Sequence, residues 1–138
     1  MVGFVAAVAG VVGLFYLHAL FAAGPVGVAV QVCAALLMLW SRVTLGRRSF
    51  HAAADPTAGG LVTSGPYRWL RHPIYAAILY FVWAGAASHP RSPVISLALL
   101  ITAGLALRMR AEESLLSDEF SEYGDYAART RRVVPLVI

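Results

Sequence analysis

Apolar residues dominate four stretches of the chain, Val2 to Phe21, Val26 to Leu39, Ile74 to Ala87 and Val94 to Leu107, with Gly, Pro and Arg between them. Runs of this kind, punctuated in this way, predict helices. Only the first reaches the roughly 20 residues that cross a typical hydrocarbon core. The second extends through Trp40 and Val43 toward Leu45. The third and fourth are short enough for a soluble core helix or a re-entrant hairpin, but they flank a tight turn from His89 to Pro93. They predict an antiparallel transmembrane hairpin in a locally thin bundle. The expected fold class is therefore all-α: a polytopic membrane bundle of about four transmembrane helices with a cytoplasmic, amphipathic C-terminal segment. The expected divisions of this single domain are two N-terminal spans (1–45), a cytoplasmic loop (46–72), a helical hairpin (73–107) and a cytoplasmic C-terminal segment (108–138).

Composition supports the membrane over water. Of 138 residues, 59% are hydrophobic and only 13% charged, where soluble domains have about a quarter charged. All eleven basic residues are Arg, and their placement orients the bundle. Five lie between the second and third runs, five follow the fourth, and Arg91 alone lies in the remaining turn. By the positive-inside rule the first two groups are cytoplasmic, which places both termini inside and the turns at Gly24 to Pro25 and His89 to Pro93 outside. The first run lacks a positive leader region and is too long for an ordinary signal peptide, so it is expected to be retained. Blocks of Arg between apolar runs do not form one basic face, so nucleic acid is not an expected partner. Cys33 is the only cysteine, and neither an H-E-x-x-H pair nor a Cys cluster is present, so no metal site is expected. No G-x-G-x-x-G and no P-loop occurs among the twelve glycines. His18, His51 and His89 read as bundle or loop residues.

The polar chemistry is concentrated in Phe50 to Tyr75 and Arg108 to Arg132. In the first, Gly65 and Pro66 predict a turn, and Pro73 suits the first turn of the third helix, where its missing N–H costs nothing. His72 then stands at the helix cap. The first free N–H groups of that helix, beside Arg71, His72 and Tyr75, can bind an anionic group. The plainer reading is an interfacial belt of Tyr67, Trp69 and Tyr75 with Arg on lipid phosphates. In the second segment, Arg108 and Glu112 are four apart and share a helical face, whereas Arg110 and Ser114 share another. Such a pair is a snorkelling surface pair if it faces out, and a functional site if it faces the bundle. Leu115, Leu116, Phe120, Tyr123 and Tyr126 then form an amphipathic stretch expected to fold back as a lid.

Taken together, "LVTSGPYRWLRHPIY" at 61–75, "RMRAEESLL" at 108–116 and the Phe120, Tyr123, Tyr126 and "TRRVVP" pattern ending at Pro135 resemble the isoprenylcysteine carboxyl methyltransferase family of integral membrane methyltransferases. The resemblance implies a helical membrane enzyme that uses S-adenosyl-L-methionine, with the cofactor in a cytosol-facing pocket built by the last two helices and their flanking loops. It implies backbone contacts to the cofactor from Gly59, Gly60, Leu61 and Val62, and it sets Tyr67 beside the cofactor. His72, Pro73, Ile74 and Tyr75 would line its site, and Glu112 would be a cofactor-binding carboxylate. Arg108 would face the substrate, and Tyr126, Arg129 and Pro135 would close the pocket. The chain departs from the family pattern where Ser121 follows Phe120 in place of Gly. The resemblance does not extend to the extra N-terminal helices of eukaryotic members, so a prenylcysteine substrate is not specifically expected.

The residues suit the chemistry. Methyl transfer from a sulfonium is an in-line displacement, so holding donor and acceptor aligned supplies on the order of 7 to 11 kcal/mol. A carboxylate substrate needs no general base, and Arg108 can orient it. An amine or phenol needs a base, with Glu112 and His72 as the available groups. The expected function is methyl transfer to a lipophilic or lipid-linked substrate at the cytoplasmic membrane boundary, with carboxyl O-methylation as one form. The alternatives are a sterol-type membrane reductase using NADPH and a non-catalytic scaffold bound to membrane lipids.

Overall fold

Proline marks where three of the long helices begin. Pro25, Pro73 and Pro93 stand in the first turns of their helices, where the fixed φ suits the helix and no N–H is needed. The computed structural model describes residues 2–46 and 60–134. These form α1 (Val2–Tyr16), α2 (Pro25–Leu45), α3 (Pro73–Ser88), α4 (Ser92–Glu119) and α5 (Tyr123–Arg129), with a 3-10 turn at Gly65–Arg68. Among the described residues no strand forms, and an isolated parallel bridge joins Leu70 to Arg131.

α1 packs along α4 and α2 along α3, so the first helix pairs with the last long one. Glycine makes the α1–α4 seam close. A Cβ on Gly3 would lie 2.4 Å from the Gly104 carbonyl oxygen, and one on Gly104 would lie 2.7 Å from the Gly3 oxygen. Ile101 occupies the space that a side chain at Gly10 would need. Small residues let two backbones approach in this way, and the contact gains dispersion energy over its length. Ala7, Leu14, Ala98, Ile101 and Leu105 are buried along the same seam.

Two expectations from the apolar pattern need correction. The first helix stops at Tyr16 rather than reaching Phe21, and His18 adopts a positive φ of 51°. The backbone groups released there find partners in Gln31, buried in α2. Its Oε1 accepts the Ala22 N–H at 2.9 Å, and its Nε2 donates to the carbonyls of Leu20 at 2.8 Å and Phe81 at 3.0 Å. Hydropathy alone cannot register a helix end that a distant amide stabilises. The second correction is at the other end of the chain, where α4 runs without a break to Glu119. Leu115 and Leu116 therefore extend a straight helix and do not fold back. Arg, Met, Ala, Glu and Leu are strong helix formers, and neither Gly nor Pro interrupts them. The backbone first turns extended at Phe120.

Two helices, Pro25–Leu45 and Ser92–Glu119, are long and apolar enough to cross a membrane, whereas Val2–Tyr16 and Pro73–Ser88 are shorter apolar helices. The order expected from the sequence is thus reversed, since α1 has 15 residues and α2 has 21. Large apolar side chains on the outward faces of α1 and α2 are exposed, among them Val5, Phe15, Leu36 and Val43.

Candidate functional site

The start of α3 meets the middle of α4, and the chain's scarce charges gather there. Arg108 and Glu112 lie one helical turn apart on α4 and pair through Nε and Oε1 at 2.9 Å, each side chain 18% exposed. Tyr75, in the first turn of α3, inserts its hydroxyl between them. It donates to Glu112 Oε1 and accepts from Arg108 Nε at 2.6 Å. His72 precedes Pro73 and stacks on the Tyr75 ring, with centroids 5.5 Å apart and planes 24° from parallel. Its Nδ1 lies 3.8 Å from Glu112 Oε2. Phe4 of α1 lies beneath the Arg108 guanidinium, 5.5 Å from ring centroid to Cζ. In surroundings this dry each of these contacts is electrostatically stronger than in water.

Glu113 gathers a second set of partners, joined to the first through His72. Arg132 holds both of its oxygens, with Nε at 3.1 Å from each and a terminal nitrogen at 2.8 Å from Oε2. Arg71 Nε approaches Oε1 to 3.3 Å, and His72 Nε2 approaches the same oxygen to 3.3 Å. The second Arg71 contact runs to α5, where a terminal nitrogen donates to the Ala127 carbonyl at 2.9 Å. Tyr126 is buried and donates its hydroxyl to the Tyr67 carbonyl at 2.8 Å.

The tyrosines around this junction are held neutral. Burial pushes the Tyr67 phenol up to about 12, with Arg42 pulling it down and Glu112 adding to the rise. Burial also pushes Tyr123 up to about 12, and the negative charge of Glu113 adds to this. The Tyr123 hydroxyl is buried and makes no hydrogen bond among the described residues.

Four of the residues singled out in the sequence, Arg108, Glu112, His72 and Tyr75, therefore come together. Pro73 is buried at the head of α3, and Ile74 beside it is half-buried. Tyr67 is buried beside this group, and its carbonyl accepts the Tyr126 hydroxyl. In the 60–62 segment Gly60 is exposed with φ 74°, Val62 is half-buried, and Leu61 lines a cavity of about 300 Å³. Thr63, Glu122, Asp125, Tyr126 and Arg129 complete that cavity, and Tyr126 bridges it to Tyr67. Gly59 and Pro135 lie outside the described residues. The aromatic-belt alternative holds for Trp69, which is 54% exposed and meets Trp40 edge to face at 6.0 Å. It fails for Tyr67 and Tyr75, which turn inward.

Sequence reasoning gave no individual role to Glu113, Arg132 and Gln31, and placed Tyr123 only in the amphipathic stretch. Glu113 stands about 100° around the helix from Glu112, on a face with no apolar marker. A signal did exist in the composition, since a chain this poor in acids places two in succession and follows them with Arg131 and Arg132.

A family model described as phospholipid methyltransferase matches residues 22–123. Two curated relatives align over 76 residues, which is 54% of this chain. The nickel-cobalt-cadmium resistance protein of Alcaligenes xylosoxydans xylosoxydans is 38% identical, with 36% of its own length covered. The cobalt-zinc-cadmium resistance protein of Cupriavidus metallidurans is 36% identical, with 35% covered. The matched region thus spans about a third of the length of these relatives. No solved structure matches the chain. Among the described residues no group of three or more His, Cys, Asp or Glu side chains is arranged to hold a metal ion.

Proposed function

The chain belongs to the phospholipid methyltransferase family, and from that premise we propose that it is an integral membrane methyltransferase that uses S-adenosylmethionine to methylate a lipophilic or lipid-linked substrate. The observation that carries this reading is the Arg108, Glu112, Tyr75 and His72 constellation. Two opposite charges on the body of α4 and two aromatic polar groups at the start of α3 are held together, largely out of water, beside otherwise apolar helices. Ionisable groups in such a setting are costly, and their presence marks function. The exposed apolar faces of α1 and α2 support lipid as their surroundings. In this reading α1 to α4 are four spans, the two short ones in a thin part of the bundle, and the arginine-rich ends of α2, α3 and α4 face the cytoplasm.

The donor set suits such a cofactor. Among the described residues the buried Tyr123 hydroxyl has no hydrogen-bond partner, and a bound polar molecule would satisfy it. Carboxylates at Glu112, Glu122 and Asp125 suit ribose hydroxyls and a cationic sulfur, and Arg129 suits a carboxylate. Gly60, Leu61, Val62, Tyr67, His72, Pro73, Ile74, Tyr75 and Glu112 would hold the group. When bound, it supplies a methyl carbon activated by positive sulfur. The chain's own residues do the rest by positioning. Glu112 keeps a fixed negative charge oriented by Tyr75 and Arg108, so no reorganisation is needed when a cation binds. Arg108 is held at Nε by Tyr75 and Glu112, which fixes the plane in which its guanidinium meets a polar substrate group. A carboxylate substrate, methylated on oxygen, needs no proton removed. A hydroxyl or amine substrate gives its proton to Glu112 or His72.

Calorimetry on detergent-purified protein tests this reading. S-adenosylmethionine and its demethylated product are expected to bind and NADPH is not. The opposite preference would point to a reductase, and binding of neither to a scaffold.

A further inference from the structure

The residues from Ala127 to Val133 form a strap across the start of α3. The Arg71 N–H donates to the Arg131 carbonyl at 2.6 Å, and the His72 N–H donates to the Arg132 carbonyl at 3.0 Å. The Arg131 N–H donates to the Trp69 carbonyl at 3.0 Å. Tyr80 of α3 donates its hydroxyl to the Val133 carbonyl. This strap lies beyond the residues that the family model matches. Its side-chain tie to α4 is Glu113, whose carboxylate is 13% exposed and held by Arg132, itself 43% exposed.

We propose that Glu113 is a positioning residue and not a cofactor contact: through Arg132 it latches the strap over the head of α3, and through His72 it sets the ring on which Tyr75 stacks. Adjacent carboxylates thereby divide the work. Glu112 faces Arg108 and Tyr75, whereas both Glu113 oxygens are occupied by Arg132, Arg71 and His72. The latch is half open to water at Arg132, so it is screened and can release, whereas the Glu112 pair is enclosed. Three backbone bonds, the side-chain bonds from Tyr80 and Arg71 and one ion pair hold the strap, a peripheral unit that opens before the bundle does. Release would uncover Arg71 and the Tyr67 to Leu70 turn that Tyr126 closes. Glu113 thus governs how fast cofactor leaves, and affinity only through that rate, whereas Glu112 touches the cofactor itself. The latch rests on geometry alone. Its effect on cofactor exchange rests on the methyltransferase reading.

Hydrogen exchange on the full chain in detergent tests the latch in the wild type, Glu113→Gln and Arg132→Gln. The amides of Arg71, His72 and Arg131 are expected to exchange roughly tenfold or more faster in both variants, the loss that accompanies one charge-assisted hydrogen bond. Amides of α4 from Val94 to Leu105 should keep their rates. If Glu113→Gln loosens that stretch as well, Arg132→Gln decides alone, because it alters a half-exposed side chain. Unchanged strap exchange in Arg132→Gln would overturn the latch. In parallel, the dissociation rate of S-adenosylhomocysteine should rise in both variants with association nearly unchanged. Loss of its binding in Glu113→Gln with a protected strap would make Glu113 a direct cofactor contact and overturn the proposal. Should the wild type not bind S-adenosylhomocysteine, the methyltransferase reading fails, and the exchange rates still decide the latch.

Discussion

Glu112 and Glu113 are neighbours in sequence and share His72, yet each carboxylate takes a different arginine. Glu112 meets Arg108 at 2.9 Å within α4, and Glu113 meets Arg132 at 2.8 Å across to the segment after α5. A helix turns about 100° per residue, so successive acids on α4 address different neighbours.

Replacing Glu112 with Ala removes the carboxylate that accepts from Tyr75 and Arg108. Affinity for S-adenosylmethionine is expected to fall by about tenfold to a hundredfold, as for one charge-assisted hydrogen bond worth roughly 1.5 to 3 kcal/mol. Calorimetric titration reads this directly, and an unchanged dissociation constant would remove Glu112 from the cofactor site.

Arg108→Ala is expected to lower turnover while most cofactor affinity remains. The separation between kcat and binding is the informative result, since a residue that only supports the bundle would shift both through loss of fold. Radiolabelled methyl transfer into a lipid extract, set beside the calorimetric constant, gives the comparison.

Tyr75→Phe keeps the ring stacked on His72 but removes the hydroxyl that joins Arg108 to Glu112. Leaving buried partners short of a hydrogen bond costs about 1 to 3 kcal/mol, so the thermal midpoint should fall by a few degrees, and kcat/KM should fall roughly tenfold as Arg108 and Glu112 lose their shared orientation. A wild-type kcat/KM in this variant would show that the bridge plays no part in the chemistry.

The α1–α4 seam should be intolerant of added volume. At Gly104 a new Cβ would lie 2.7 Å from the Gly3 backbone oxygen, which cannot swing aside as a flexible side chain can. Gly104→Ala is expected to cost about 1 to 3 kcal/mol, the usual range for overpacking, and a lower melting temperature in detergent would report it.

Orientation can be tested with the lone Cys33 replaced by Ser and a single new cysteine placed at Ser117 or at His89. A membrane-impermeant maleimide applied to intact cells should label the His89 position and leave Ser117 unreacted. The reverse pattern would invert the topology read from the arginines.

Much of the architecture is local and could be read from the chain. Proline at 25, 73 and 93 sets helix starts, apolar runs set helical content, and the four-residue spacing of Arg108 and Glu112 puts them on one face because a helical turn takes 3.6 residues. His72 and Tyr75 were likewise legible from their place around Pro73. The remaining features depend on partners far along the chain. Tyr75 reaches Glu112 across 37 residues, Glu113 meets Arg132 across 19, and Gln31 holds Phe81 across 50. Periodicity records which way a side chain faces on its own helix and carries no record of what stands opposite. That depends on the pairing of α1 with α4 and of α2 with α3, where glycine permits close approach, and on the bridge from Leu70 to Arg131. Those contacts turn an amphipathic tail into a strap and give two adjacent glutamates different neighbours.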